Sequence, residues 1–180
     1  MVKQQQVLDA DALREKETKE LCTLSTEFSG VRKLRSRPAI YDVTESDSNN
    51  VKSHGVYIGM KELLAPHYDR VKLVCNNNFI VATICLNGEK RNFLYKINGE
   101  LVFNDFVEYR KGFFISRDFR EVEKKFKKGK IKGLKVYTHN FTLLNAEYEI
   151  DRYEPFEKFN GENAIRLYPT GSNAPRVYTY

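Results

Sequence analysis

VYIGMKELLAPHY (56–68), LYKINGELVFNDF (94–106) and VYTHNFTLLNAEY (136–148) are three renderings of one phrase. Each opens on an aliphatic residue followed by tyrosine. Counted from Tyr57, Tyr95 and Tyr137, an aliphatic pair stands at +6 and +7 and an aromatic at +11. These are Leu63-Leu64 and Tyr68, Leu101-Val102 and Phe106, and Leu143-Leu144 and Tyr148. The copies begin 38 and 42 residues apart. Self-similarity at that period marks one supersecondary unit stacked on itself.

The unit reads as a β-hairpin. In the second copy Asn98-Gly99 separates LYKI from ELVF, and Asn-Gly suits both central positions of a type I′ turn. A two-residue turn there sets Ile97 opposite Glu100 and Tyr95 opposite Val102. RVKLVC (70–75) and FIVATIC (79–85) form another hairpin, split by a three-residue Asn76-Asn77-Asn78 loop, because asparagine tolerates positive φ. VEYRKGFFIS (107–116) reads as a strand broken near Gly112, and ENAIRLY (162–168) as a last restatement. A lone hairpin is marginal in water, whereas stacked copies bury a continuous face. Eleven Tyr and twelve Phe with no Trp fit this, since rings pack across a pleated surface.

Outside the repeat the pattern changes. Leu8, Ala12 and Leu13 recur at helical spacing, Asp9 or Asp11 could cap the start, and the window 7–22 predicts a helix of about four turns that ends by Ser29-Gly30. Val31–Pro38 reads as an extended basic arm, and TESDSNN (44–50) as a polar linker. The organisation expected is therefore 1–50 as N-terminal helix and basic arm, 51–168 as the β-repeat domain, and 169–180 as a C-terminal tail. The fold class is mainly β: stacked antiparallel hairpin repeats with a short N-terminal helix or arm and one basic insertion.

The repeat resembles the WG-repeat family of bacterial β-hairpin arrays. YIGMKELLAPHYDRV (57–71) carries Leu63-Leu64, Pro66, Tyr68 and Asp69 in the family's order. LYKINGELVFNDFVEYRKGFFIS (94–116) carries Asn98-Gly99-Glu100, Leu101-Val102 and Phe106. KVYTHNFTLLNAEYEID (135–151) keeps the aliphatics and Tyr148 without the glycine turn, and the namesake Trp is absent from every copy. The resemblance covers residues 56–168. It implies an antiparallel β-repeat scaffold with no family-wide catalytic centre.

Charge supplies the functional expectation. Net charge is +6, yet residues 110–135 hold eleven Lys or Arg against three acids, a surplus of eight that leaves −2 to the rest of the chain. Arg117, Arg120, Lys124, Lys125, Lys127, Lys128, Lys130 and Lys132 fall in this stretch, with Phe119 and Phe126 among them. Phe119, Val122 and Phe126 sit at i, i+3 and i+7, so 117–132 is either a short amphipathic helix or a long hairpin excursion. A second cluster is Arg32, Lys33, Arg35 and Arg37. Clustered cations on a near-neutral body match a polyanion footprint, and exposed rings stack on unpaired bases. They also match a solvated loop.

Other chemistry finds less support. His54, His67 and His139 occupy different places in the repeat, and nothing sets one beside a nucleophile. Asp69, Asp105, Glu108 and Asp151 read as turn acids rather than a metal cluster. Cys22, Cys75 and Cys85 have no zinc-ligand spacing and fit a reducing cytoplasm, and Cys75 and Cys85, in apolar strand-like runs, suit buried small hydrophobes. No apolar run approaches a bilayer span, and residues 1–17 are too polar for a signal peptide. The expectation is a non-catalytic cytoplasmic binding module without cofactor or metal. It would dock on nucleic acid, RNA rather than DNA, or on a nucleoprotein complex, and not on a membrane. The alternative is a protein–protein inhibitor or adaptor, such as a phage-type antagonist of a nucleic-acid-processing enzyme resembling an anti-CRISPR.

Overall fold

The computed structural model describes residues 2–86, 88–117 and 133–179. One helix, α1 (Val2–Glu27), precedes a run of antiparallel meanders. The first sheet contains β1 (Gly30–Ser36), β2 (Ala39–Ser46), β3 (Lys52–Ile58) and β4 (Lys61–Tyr68) in that order. The second contains β5 (Arg70–Val74), β6 (Phe79–Leu86), β7 (Glu89–Lys96) and β8 (Leu101–Phe103). In the third, β10 (Phe113–Arg117) lies between β9 (Phe106–Arg110) and β11 (Leu134–Thr138). The fourth contains β12 (Ile150–Glu157), β13 (Asn163–Pro169) and β14 (Arg176–Thr179). The fold is mainly β and built of hairpins, and among the described residues every sheet is open with two edge strands. The chain divides into two compact units, residues 1–90 with 95–100, and residues 91–94 with 101–180.

In the first unit the first sheet has a different neighbour on each face. Alternation along β2 sends Tyr41 and Val43 to one side and Ile40 and Asp42 to the other. Tyr41 and Val43 pack with Leu24 of α1, and all three are buried. On the other face Ile40, with Val56 and Leu64 of the same sheet, packs with Val71, Ile80 and Ala82 of the second sheet. The unit is thus three layers: helix, sheet, sheet. In the second unit the third and fourth sheets share a core of Phe113, Ile115, Val136, Ile150, Ile165 and Leu167.

The recurring module is a three-stranded meander. An aromatic just before the first strand meets a tyrosine near the end of the third. Phe28 and Tyr57 pack edge-to-face with centroids 5.3 Å apart. Tyr68 and Tyr95 do likewise at 6.3 Å, and their hydroxyls hydrogen-bond at 2.8 Å. The Tyr148 and Tyr178 hydroxyls hydrogen-bond at 2.7 Å. In the remaining meander Phe103 stands between the equivalent positions, 6.5 Å from Phe106 and 4.8 Å from Tyr137. Tyr57, Tyr95 and Tyr137 therefore do occupy like places, and Tyr178 is a fourth.

A single turn design recurs with them. At Asp47, Lys96, Thr138 and Lys158 the carbonyl accepts from the N–H three residues on, at 2.9 to 3.0 Å. The N–H of the same residue donates to the carbonyl four residues on, at 2.8 to 3.1 Å. The residue before that partner has positive φ: Asn50 61°, Gly99 89°, Phe141 62° and Gly161 83°. This is a type I turn closed by a left-handed residue, the usual three-residue hairpin loop.

The loop at Asn98-Gly99 is therefore three residues, not two, and Lys96 rather than Ile97 faces Glu100. The side chains explain the choice. Asn98 Oδ1 accepts the Glu100 N–H at 3.0 Å, and Lys96 Nζ donates to Glu100 at 2.8 Å. The hydrogen bond from Lys96 lowers the Glu100 pKa. Two-residue turns occur instead at Gly59-Met60, between Ile58 and Lys61, and at Lys111-Gly112, between Arg110 and Phe113. The strand expected to break near Gly112 is thus the β9–β10 hairpin. The Asn76–Asn78 loop is longer by one, because Val74 pairs with Phe79 and leaves Cys75 in the turn with φ 53°.

Three other stretches are more ordered than their composition suggests. Val31–Ser36 is β1, paired with β2, and the Arg37–Pro38 peptide in the turn beyond it is cis. TESDSNN is not a linker. Thr44–Ser46 belong to β2, and Asp47 Oδ1 accepts from the Asn49 and Val51 N–H groups, both at 2.8 Å, to make the hairpin into β3. The C-terminal tail contains β14, which pairs with β13. The helix starts at Val2, upstream of the Asp9 and Asp11 caps; from residue 10 on its sheet-facing seam is Ala10, Leu13, Glu17, Glu20 and Leu24, so Leu13 lies on it as expected and the exposed Ala12 does not.

The cysteines differ from expectation as well. Cys22 and Cys85 are exposed and Cys75 is half-buried, with burial pushing its thiol up to about 12.

Candidate functional site

The cations on β1 do not form one patch. Successive side chains of a strand point to opposite faces. Arg32 faces the second sheet and donates to Asp42 Oδ2 at 2.7 Å. Lys33 faces α1 and donates to Glu17 Oε2 at 2.9 Å. Arg35 donates to the Asn77 carbonyl at 2.9 Å. Arg37 is exposed in the β1–β2 turn and has no hydrogen-bond or ion-pair partner among the described residues.

Asp42, buried at 2% exposure, also accepts from His54, whose Nδ1 stands 2.8 Å from Oδ1. An imidazole oriented by a carboxylate is half of a general-base pair. Among the described residues His54 bonds to no Ser, Thr or Cys side chain, and the second Asp42 oxygen is taken by Arg32. The other candidate acids hold backbone and side chains in place. Asp69 accepts from the Cys85 N–H. Glu108 accepts from the Tyr153 hydroxyl at 3.0 Å, and burial, then that bond, pushes Tyr153 up to about 12. Asp151 accepts from the Thr170 hydroxyl and the Gly171 N–H. Among the described residues no group of three or more His, Cys, Asp or Glu is arranged to hold a metal.

Arg117 is the described end of the second basic cluster. Its Nε lies 3.2 Å from Asp105 Oδ2, and its N–H donates to the Asp105 carbonyl at 2.8 Å. Phe119, Arg120, Lys124, Lys125, Phe126, Lys127, Lys128, Lys130 and Lys132 lie outside the described residues, as does the question of helix or hairpin over 117–132. The described residues that flank it are Arg117 and Gly133. Arg117 and Leu134 are register partners on β10 and β11. β11 is in turn completed by the fully buried Asn145, which accepts from the Val136 N–H at 3.0 Å and donates to the Leu134 carbonyl at 2.8 Å.

A cleft of about 870 Å³ opens in the first unit between α1 and the turns of the first sheet. The seam of α1 explains it. Leu24 closes onto the sheet, but Glu17 and Glu20 come next along the seam, and carboxylates cannot pack as leucines do. Glu20, buried at 8% exposure, accepts from the Tyr41 hydroxyl at 3.1 Å. Burial, then that bond, raises the phenol to about 12, so Tyr41 stays a donor at neutral pH. Lys16 Nζ is 3.9 Å from Glu20. Glu17 Oε2 holds Lys33, whereas its Oε1 is buried without a hydrogen bond. Leu13, Pro38 and Ile58 give the cleft apolar wall, and Arg37 stands among its lining residues.

Sequence reasoning overlooked Glu17, Glu20, Tyr41 and Asp42. The signals were an acid at the centre of an apolar strand (AIYDV, 39–43), and a 3-4-3-4 spacing from Ala10 to Leu24 that two glutamates interrupt.

On the fourth sheet, the face opposite the core stacks guanidinium groups on rings. Arg152 lies over Tyr168 at 3.9 Å and Arg166 over Phe156 at 4.0 Å. Glu154 between them accepts from the Tyr168 hydroxyl and pairs with Arg166. Charge laid over apolar rings in this way suits a terminal layer of a stack. No helix among the described residues is long and apolar enough to cross a membrane. No family model, curated protein or solved structure matches the chain.

Proposed function

We propose that the chain is a non-catalytic, cytoplasmic docking module of the WG-repeat kind, and that its ligand is a polyanion: RNA, or a nucleoprotein complex. The observation that carries this is the surplus of eight positive charges over residues 110–135, in a stretch flanked by the register partners Arg117 and Leu134. Lys124, Lys125, Lys127 and Lys128 would neutralise phosphates, and Phe119 and Phe126 would add stacking area. Arg37, in the first unit, is a further exposed cation without an internal partner among the described residues. Arg32, Lys33 and Arg35 contribute less to this reading, because each already has an internal partner.

The test compares the full chain with the quadruple variant K124Q/K125Q/K127Q/K128Q on a mixed-sequence single-stranded RNA and on duplex DNA of equal length. Loss of four phosphate contacts should lower the slope of log affinity against log salt by roughly three on the single strand. Equal affinity and slope for the two proteins would reject the site. The protein-antagonist reading is favoured by β14, a short strand at the edge of its sheet with Val177 half-exposed, since an exposed edge invites strand addition. Capture of a protein partner that survives nuclease treatment, and is lost when β14 is deleted, would select it.

A further inference from the structure

We propose that the chain associates with copies of itself head to tail, the hairpin tip at Phe159 of one copy seating in the cleft between α1 and the first sheet of another. This stands apart from the polyanion reading, since it uses neither the segment 118–132 nor the cations of β1.

Two turns of nearly one sequence carry the argument, KINGE (96–100) and KFNGE (158–162). In each the Asn side chain accepts the Glu N–H, and the Lys ammonium donates to the Glu carboxylate. The residue after the lysine has a different fate in the two. Ile97 packs against the first unit's core, and a methyl group on Gly99 would press on Leu63. Phe159 is 111% exposed, and a methyl group on Gly161 would meet nothing within 4 Å. A phenylalanine side chain puts roughly 200 Å² of apolar surface at stake. The turn beneath it is already ordered by its own hydrogen bonds, so seating it costs little conformational entropy. The twin shows the use of such a tip: its apolar residue docks on aliphatic side chains.

The cleft supplies a wall of that kind. Leu13 of α1, Ala39 of β2 and Ile58 of β3 are half-buried around it, and Pro38 is exposed at its edge. Glu17 and Glu20 also line it, but Lys33 and the Tyr41 hydroxyl hold them, which leaves the aliphatic surface to a guest. The volume, about 870 Å³, admits a phenyl ring with the turn that carries it. Lys16 on the cleft is 73% exposed and Glu162 on the turn 51%, and their opposite charges favour one orientation. Phe159 is exposed in its own chain, so the guest comes from a second copy. Tip and cleft are different surfaces, which makes the contact heterologous. One seated tip buries well below about 1,000 Å², so the dissociation constant is on the order of 0.1–1 mM.

Amide chemical shifts of the full chain, recorded without nucleic acid from about 0.05 to 1 mM, test the contact. Concentration-dependent shifts are expected in two sets: the tip, 158–162, and the cleft, 10–16 with 38–39 and 58–59. F159S, a change at a fully exposed site, should abolish both. Labelled F159S mixed with unlabelled parent should regain the cleft set alone, because it can receive a tip but not offer one. Labelled A10W, whose indole fills the cleft, should regain only the tip set in the same mixture. Constant shifts over the whole range overturn the inference. So does a concentration dependence that F159S retains, or a mixture in which labelled F159S stays unchanged at the cleft. Should A10W fail to fold, the F159S mixture decides alone.

Discussion

The hydroxyl of Tyr148, just before β12, lies 2.7 Å from the hydroxyl of Tyr178 on β14. Tyr68 and Tyr95 repeat the arrangement around β5 to β7 at 2.8 Å. Each bond ties the entry of a three-stranded meander to its exit, so the middle strand is held from both ends. Arg176 lies over the Tyr148 ring at 4.3 Å and adds a cation to the second of these clasps.

If the clasp acts as a pair, the two halves are coupled. Y68F and Y95F should each cost about 1 kcal/mol, because each leaves one part-buried hydroxyl without its partner. The double variant should cost clearly less than the sum. A double-mutant cycle by urea unfolding measures this, and strict additivity would show that the hydroxyls do not communicate.

Tyr41 links stability to alkaline pH. Its pKa rises from 10.0 to about 12 on folding, so the folded state holds the proton more tightly than the unfolded chain. Stability is then complete below about pH 10 and falls between 10 and 12, by an amount on the order of 2–3 kcal/mol. Y41F should flatten this loss in part, since Tyr153 shifts in the same direction. At neutral pH the same variant should be less stable by about 1–3 kcal/mol, because buried Glu20 loses a donor. Chemical unfolding of both proteins from pH 7 to 12 reads both effects.

KINGE (96–100) and KFNGE (158–162) are the same turn in different surroundings. A methyl group on Gly161 would meet nothing within 4 Å, whereas one on Gly99 would meet Leu63 Cδ1 at 3.0 Å. G161A should therefore cost only the left-handed backbone, about 1 kcal/mol. G99A should cost more, since Leu63 must move within its core. Thermal unfolding that gave equal losses would contradict this packing around Gly99.

Gly55 is the sternest position. The β3–β4 register slips beside it, and a methyl group there would lie 2.7 Å from the Leu64 carbonyl oxygen and 2.9 Å from the Pro66 nitrogen. Backbone atoms cannot yield as a side chain does. G55A should destabilise the first unit by about 3 kcal/mol, with amide protection lost first in β3 and β4.

The hairpins were legible because alternation and turn residues are local signals. Tyr57, Tyr95 and Tyr137 mark equivalent strand ends, as their spacing implies. Val177-Tyr178 continues the series 41 residues beyond Tyr137, but it sits among Pro, Gly and Asn residues that read as a tail. The turn register at Asn98-Gly99 escaped because Asn-Gly serves two loop designs, and Lys96 with Glu100 decides between them. The basic run Arg32–Arg37 was legible as charge but not as geometry. A strand splits neighbours between faces, and the partners Glu17, Asp42 and Asn77 come from elsewhere in the chain. The cleft was illegible for a related reason: only tertiary packing shows that Glu17 and Glu20 turn inward.

β10 departs and β11 returns at a single rung, Arg117 opposite Leu134. Closing entropy grows only slowly with span, so lengthening a bridge between them adds little to its closing cost. That rung is a socket. On the function proposed above, exchanging what the socket carries should exchange the ligand preference while the sheets stay as they are.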